Sequence, residues 1–280
     1  MTMHMYYNGR RLTADNYQEL VPESLWPRNK SGSPKKRPGA KDYIAMGGVR
    51  GVTDILKAIG GPKVEGLIYW SGNLAIQAML DVMQDEPREI GELQVAGTAR
   101  WNELRNEASD RGTEIHDGIE RWERGIESDD PVIRAACANV DEFLKTKGLE
   151  GGSREYCFTA KAVSMGFGGT VDYALADQRT ILDYKTVQDT PGKKIRKPYP
   201  TEVAQVASYG IGMWDFDYAD GIDDEALRVR MNRAANVYIR QSDGGIADIR
   251  WWTPEELWRG WQLFKLAYAV TSLLDEGVIA

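Results

Sequence analysis

Two acidic residues, Asp172 and Asp183, lie inside neighbouring runs that are otherwise typical of β-strands. These runs, residues 168–176 and 180–187, are rich in β-branched and aromatic side chains. If the turn between them is the two-residue loop 177–178, antiparallel pairing sets the two acidic residues opposite each other, with their Cβ atoms about 5 Å apart. A one-residue change in the loop would remove this pairing, because it would move every side chain to the other face.

Opposed carboxylates of this kind predict a cation between them. Two like charges at that separation destabilise a sheet unless positive charge offsets them, and hard divalent cations bind carboxylate oxygens. Mg²⁺ fits this description best. Alternation along the second run also puts Lys185 on the face of Asp183, where its ammonium group can hold or activate a water or stabilise a phosphate. The alternative is a surface hairpin in which the Asp183–Lys185 pair has no function.

Weaker signals lie outside the hairpin, and each has an ordinary structural alternative. His116 sits at the edge of a helical apolar stripe, where a lone histidine is commonly just a packed residue. Gly112, one turn earlier, either permits close approach of a strand or marks a helix irregularity. Gln205 and Tyr209 share one helical face, and Glu155 points either toward the site or toward solvent.

The order of predicted elements indicates an α/β (α+β) chain. Residues 1–42 form an N-terminal segment with a flexible basic arm, and residues 43–280 form a single domain. That domain is expected to be helical over 51–147, with a sheet core from about residue 153. The glycines of GFGG, residues 166–169, are interpreted as turn residues, because no lysine and helix follow them as in a phosphate loop. Predicted helices cover 67–83, 92–124, 131–147, 201–213 and 254–276, and predicted strands cover 154–160, 168–176, 180–187, 235–240 and 246–252.

Charge is distributed unevenly along an acidic chain with 35 basic and 42 acidic residues and a pI near 5.1. This composition argues against a DNA binder that is cationic overall, but local patches decide what a nucleic acid encounters. Two basic patches stand out, which are Lys35, Lys36 and Arg37 in the arm, and Lys193 and Lys194 further along. Each patch is also compatible with a solvated loop.

Four segments of the chain carry a family resemblance: GTEIH (112–116), GGTVDY (168–173), ILDYKT (181–186) and QVASY (205–209). In this order they resemble the PD-(D/E)XK nuclease superfamily, in particular its RecB-like exonuclease branch. Two upstream segments, GVTDIL and LIYW, are similar to the lead-in of phage exonucleases and of the mitochondrial genome maintenance exonuclease. Val171 occupies the position of the signature proline, which is a common variation.

The resemblance implies a restriction-endonuclease-like mixed central sheet flanked by helices, with a helical N-terminal region. It also implies hydrolysis of DNA phosphodiester bonds that depends on Mg²⁺ or Mn²⁺. With only two cysteines, the chain cannot supply the four thiolates that ligate the iron–sulfur cluster of some relatives. The implied roles are metal binding for His116, Asp172 and Asp183, water activation for Lys185, site support and DNA contact for Gln205 and Tyr209, and an acidic strand position for Glu155.

The expected function is therefore a DNA exonuclease acting on single strands or free ends in replication, recombination or DNA degradation. We expect it in the cytoplasm of a bacterium or of a phage-infected cell, with no membrane association and with a replication or recombination protein as a partner. One alternative is a structure-specific or restriction-type endonuclease. A second is a DNA-binding subunit with the nuclease fold that never cuts.

Overall fold

The computed structural model describes residues 4–59, 90–161, 165–188, 195–214 and 233–275. Within these ranges the protein is a mixed α/β structure, in which helices flank an eight-stranded sheet with parallel and antiparallel pairs. None of the described helices combines the length and hydropathy needed to cross a bilayer. In chain order the strands are β1 (Met5–Tyr7), β2 (Arg10–Leu12), β3 (Val49–Gly51), β4 (Ser153–Lys161), β5 (Gly166–Leu175), β6 (Thr180–Val187), β7 (Arg233–Arg240) and β8 (Ile246–Trp252).

The strand order β2-β1-β3-β5-β6-β7-β8 makes β5 and β6 the centre of the sheet, and β4 pairs with β5 in addition. A strand has only two edges, and β4 occupies one edge of β5 along almost its whole length. The other edge is shared: β3 pairs with the start of β5, at Phe167 and Gly168, and β6 pairs with its end, at residues 173–175. Between these two partners, β5 has a short unpaired stretch on that edge.

Helices cover both faces of the sheet, and each face has its own apolar core. On one face the core includes Ile181 of β6, and on the other it includes the adjacent Leu182 and Tyr184, as strand alternation requires. The helices are α1 (Tyr17–Leu20), α2 (Ala40–Ala45), α3 (Val52–Leu56), α4 (Ile90–Glu123), α5 (Pro131–Thr146), α6 (Pro200–Trp214) and α7 (Pro254–Asp275). The first face packs against α3, α6 and α7, and the second packs against α4 and α5.

Local sequence accounts for the helix boundaries at α5 and α7. The Asp130 carboxylate accepts hydrogen bonds from two backbone N–H groups of the first turn of α5, and Pro131 needs no such partner. Before α7, Thr253 and Glu256 form a capping box, because each side chain bonds the backbone N–H of the other. Thr253 is therefore the N-cap of α7.

The structure differs from the sequence prediction in the N-terminal part of the chain. Three strands, β1 to β3, belong to the sheet, so the sheet begins well before residue 153, where we expected it to start. Each has only three residues, which is too short for an alternation pattern to be recognised. The predicted helix at residues 67–83 lies outside the described residues.

The glycines of GFGG lie within β5, so their interpretation as turn residues was wrong. A Cβ atom on Gly169 would lie 2.7 Å from the ring of Tyr209, and one on Gly168 would lie 2.6 Å from Cβ of Tyr6. Side chains from α6 and β1 therefore fill the space above these residues. Glycine is required here for close packing and not for a change of chain direction.

The segment that contains the basic arm packs on its own small core of Met5, Leu12, Tyr17, Val21, Tyr43 and Met46. Within the arm, the Lys35 backbone N–H bonds the Pro27 carbonyl at 2.8 Å, and Arg28 and Pro34 form an isolated bridge. The hydroxyl group of Tyr17 donates to the Lys35 carbonyl at 2.8 Å. These contacts connect the arm to the N-terminal part of the sheet.

Candidate active site

The register of the β5–β6 hairpin is the one that a two-residue loop predicts. Tyr173 pairs with Leu182, and the Arg179 N–H bonds the Ala176 carbonyl across a turn centred on residues 177–178. Asp172 and Asp183 occupy the next position along this register. The ladder ends before them, so the two strands separate at the level of the two carboxylates.

A third carboxylate lies in the same row. In the β4–β5 ladder, the pairs Arg154–Tyr173 and Tyr156–Val171 place Glu155 opposite Asp172. Glu155 has a φ of 48°, a left-handed conformation that is uncommon for a non-glycine residue and costly inside a strand. Three adjacent strands thus present one acidic residue each at one level of the sheet, and we call Glu155, Asp172 and Asp183 the carboxylate row.

His116 approaches the row from α4. Its Nδ1 atom lies 4.0 Å from Oδ2 of Asp172, and that oxygen also accepts a hydrogen bond from the Tyr184 backbone N–H at 2.5 Å. Mg²⁺ binds its ligands at about 2.1 Å, so an imidazole nitrogen and a carboxylate oxygen at this separation could both reach one ion. The separation of the histidine and the aspartate is therefore compatible with one shared cation.

Gly112 accounts for the close packing of α4 against the strand. A Cβ atom at this position would lie 2.7 Å from Oγ1 of Thr186, which is shorter than a non-bonded contact allows. The glycine therefore lets α4 lie directly on the end of β6. Of the two alternatives from the sequence, the structure supports close approach of a strand, and His116 follows one turn later.

Lys185 links the row to α6 through a continuous set of polar contacts. Its Nζ atom forms an ion pair with Oδ2 of Asp183 at 2.6 Å and donates to Oε1 of Gln205 at 3.1 Å. The amide of Gln205 then donates to the hydroxyl group of Tyr209 at 2.8 Å. The structure thus brings Gln205 and Tyr209 to the ammonium group, through a contact between helix and strand that no local pattern encodes.

Burial and like charge raise the pKa values of two acids in the row. Burial raises the pKa of Glu155 to about 8, and the carboxylates of Asp172, Glu120, Asp117 and Asp183 add to the increase. Burial also raises the pKa of Asp183, an effect that the nearby Lys185 opposes and Asp172 reinforces. The row is therefore a place where negative charge is unfavourable unless a cation is present.

Lys185 retains its positive charge in this setting. Burial alone would lower the pKa of its ammonium group, but the carboxylates of Asp183 and Asp172 outweigh burial and raise it. A lysine held in this way is a hydrogen-bond donor and a positive charge at neutral pH. It can orient a water or stabilise a phosphate oxygen without first losing a proton.

Sequence reasoning missed three buried polar residues beside the row. Asn236 of β7 is fully buried and donates to Oδ2 of Asp183 at 2.7 Å. Glu202 of α6 is 5% exposed and accepts a hydrogen bond from the hydroxyl group of Tyr238 at 2.7 Å. A polar residue within an otherwise apolar run, as in RAANVYIR, was the available signal for Asn236, whereas nothing comparable marked Glu202 or Tyr238.

The donor set suits a hard divalent cation, although the described residues contain no preformed cluster of three or more metal-ligating side chains. The row supplies carboxylate oxygens, which such cations prefer. In Asp183, both contacts above are made by Oδ2, and Oδ1 makes no hydrogen bond within the described part of the chain. Asp172, Asp183 and His116 are the residues that would hold the ion.

A cavity of about 520 Å³ lies elsewhere, between α5 and the start of β4. Polar groups that line it already bond one another: the indole N–H of Trp122 donates to Asp141 at 2.6 Å, and Arg154 pairs with the same carboxylate. The lining includes none of the row residues, His116 or Lys185. We therefore assign the candidate site by its charged groups and not by cavity size.

The predicted basic residues are not all brought to this site. Lys35 pairs with Asp42 at 2.7 Å, and Lys36 and Arg37 are exposed. No hydrogen bond or ion pair between described residues joins these three to the row. Lys193 and Lys194 lie outside the described residues.

Comparison with known proteins gives no family assignment. No protein-family model and no curated protein matches the chain. Among solved structures, one described as the crystal structure of SSO0001 is similar with a TM-score of 0.28 and 11% sequence identity, over 70% of this chain and 85% of that chain. A likeness at this level does not establish a shared fold.

Proposed function

We propose that this protein is a divalent-metal-dependent deoxyribonuclease that hydrolyses DNA phosphodiester bonds at the carboxylate row. The observation that carries the proposal is the combination of Glu155, Asp172 and Asp183 on three adjacent strands with Lys185 paired to the last of them. Like-charged side chains in one row are costly without a cation.

In this proposal His116, Asp172 and Asp183 hold the cation, and Mg²⁺ or Mn²⁺ supplies charge stabilisation and a water of lowered pKa. Hydrolysis needs a water in line with the scissile bond and positive charge beside the phosphate oxygens. Lys185 provides an ammonium group at a fixed position, because Asp183 and Gln205 both hold it. Tyr209 fixes Gln205 in turn.

The choice of DNA as substrate rests on the sequence resemblance and on the chemistry of the site. Within the proposal, the sheet and its flanking helices correspond to the restriction-endonuclease-like fold of RecB-like exonucleases. Lys36 and Arg37 are exposed and available for phosphate contacts, which would make binding sensitive to salt. Action on single strands or ends, and a replication or recombination protein as partner, belong to the same proposal.

The decisive assay uses purified protein and end-labelled linear DNA, both single- and double-stranded, with Mg²⁺, Mn²⁺ or EDTA. We expect degradation that requires the metal and is lost in Lys185→Ala. A folded wild-type protein that degrades neither substrate would contradict the proposal and favour a binding subunit that does not cut.

A circular single-stranded substrate separates the two nuclease alternatives. An exonuclease requires an end, so the circle should stay intact while the linear form of the same sequence disappears. Cleavage of the circle would instead identify an endonuclease. The proposal of a metal-dependent nuclease would then stand, and the requirement for a DNA end would be wrong.

A further inference from the structure

Asn236 is a polar residue at a position where an apolar one would be expected. It lies in the middle of β7, is fully buried, and is followed by buried Val237. In the parallel β6–β7 ladder it stands directly beside Asp183. Burying an amide is unfavourable unless both its donor and its acceptor have hydrogen-bond partners.

The two ends of the Asn236 side chain have different partners. Its Nδ2 atom donates to Oδ2 of Asp183 at 2.7 Å, and its Oδ1 atom accepts from Nε1 of Trp252 at 2.7 Å. An indole N–H can only donate, so it requires the carbonyl end of the amide. The amide end must then face Asp183. Trp252 therefore fixes which way the Asn236 side chain points.

The orientation of Asp183 follows from this arrangement. Oδ2 is held from one side by Asn236 and from another by Lys185, so the carboxylate cannot rotate freely. Its second oxygen, Oδ1, is thereby kept in one direction. The guanidinium of Arg250 lies 5.0 Å from the ring of Trp252, which packs the indole from the outside.

We propose that Asn236, oriented by Trp252, is a positioning residue that presents the Asp183 carboxylate to a divalent cation. The inference rests on the proposed function, because it assumes that Asp183 is a metal ligand. Residues that orient a metal ligand in this way commonly change metal affinity 10- to 100-fold when they are replaced. Asn236 touches neither the cation nor the DNA in this account.

The test is calorimetric titration of Mn²⁺ into the metal-free full-length protein, without DNA, for the wild type and for Asn236→Leu. Leucine has the same branched outline, although it is larger, and it removes both hydrogen bonds. We expect Mn²⁺ affinity to fall about 10- to 100-fold. Val237→Ala is the matched control, since it weakens the same strand on the opposite face of the sheet and should bind Mn²⁺ with nearly unchanged affinity.

Trp252→Phe provides a second variant that keeps Asn236 in place. It removes the indole donor, so the Asn236 carbonyl oxygen loses its partner and the amide is held less firmly against Asp183. We expect a smaller loss of Mn²⁺ affinity, between those of the control and of Asn236→Leu. This variant tests the inference even if Asn236→Leu does not fold.

The outcomes separate the inference from the function on which it depends. If the wild type binds Mn²⁺ and both variants bind it equally well, the inference is overturned and the proposed function stands. Equal losses in Val237→Ala and Asn236→Leu would also overturn it, because general destabilisation would then explain the effect. If the wild type binds no Mn²⁺, the metal-dependent function fails together with the inference.

Discussion

The two halves of the β5–β6 hairpin have the same strands but different chemistry. In the closed half, Tyr173, Ala174 and Leu175 pair with β6, and their side chains are buried in apolar cores. In the other half, which we call the open half, β5 and β6 no longer pair with each other. Asp172, Asp183 and Lys185 lie in this half. The comparison shows how one short hairpin anchors the fold at one end and presents charged groups at the other.

A side chain replaces a strand partner where the ladder ends. The backbone N–H of Tyr184 would need a carbonyl acceptor if the pairing continued, and it donates instead to Oδ2 of Asp172. Buried backbone groups are rarely left unpaired, so this contact lets the strands separate at little cost. Asp172 thus has a structural contact in addition to its proposed role as a metal ligand.

The largest expected effect is on catalysis in the open half. Lys185→Met keeps most of the side-chain volume and removes the ammonium group beside the phosphate. We expect the rate of DNA degradation at saturating Mg²⁺ to fall at least about 100-fold, as is typical for loss of one preorganised donor. The exposed Lys145→Met on α5 is the control and should cleave like the wild type. Retention of most of the activity in Lys185→Met would contradict the assignment.

Substitutions in the closed half, where β5 and β6 pair, should lower the free energy of unfolding and leave metal binding unchanged. Leu182 is fully buried, so Leu182→Ala is expected to cost about 2–5 kcal/mol of unfolding free energy, measured by urea denaturation. At temperatures where this variant stays folded, its Mn²⁺ affinity should match that of the wild type. A large loss of affinity in the folded variant would show that the two halves are not separable in the way described.

The contact of α4 with the open half is tested by Gly112→Ala. The added methyl group would meet Oγ1 of Thr186, and overpacking of this kind costs about 1–3 kcal/mol. Relief of this clash would push α4 away from β6 and move His116 with it. We therefore expect weaker Mn²⁺ binding as well as lower stability. Adding Thr186→Ala removes the obstructing oxygen and should restore part of both losses. If the second substitution restores neither, the clash is not the cause.

The smallest expected effect is a dependence of stability on pH in the metal-free protein. The pKa of Glu155 rises from about 4.5 when unfolded to about 8 when folded, so the folded state binds more protons between these values. Its contribution to stability is fully present below about pH 4.5 and is lost as the pH rises through about 8. Since Glu155 is partly exposed, we expect a decrease in Tm of no more than about 4 °C.

Thermal unfolding in EDTA across this range measures the effect, with Glu155→Gln as the variant that should flatten the slope. Ca²⁺ should raise the Tm of the wild type more at pH 8 than at pH 6, because the cation competes with the proton for the row. A slope unchanged in Glu155→Gln would assign the pH dependence to other groups.

The sequence predicts those parts of the fold that depend on contacts between neighbours along the chain. β6 was predicted over the residues where it is found, and the hairpin register follows from the turn alone. The helical apolar stripe beside His116 is also confirmed, since Ile115 and Ile119 of α4 are buried. In each case the side-chain pattern and the local geometry agree.

Contacts between distant segments could not be predicted in this way. Strands β1 to β3 are stabilised by partners elsewhere in the sheet and leave no pattern of their own. The position of Asn236 beside Asp183 depends on a parallel pairing across 53 residues of chain. Whether Glu155 faces the site was equally open in the sequence, because it depends on the register between β4 and β5.

The most direct test of the central claim is a crystal structure of the protein grown with Mn²⁺, with anomalous diffraction used to locate the metal. We predict an anomalous peak between Asp172 and Asp183, within coordination distance of both carboxylates and beside His116. A fully occupied peak elsewhere, with Lys185 still filling the space next to Asp183, would contradict the account of the open half as a metal site.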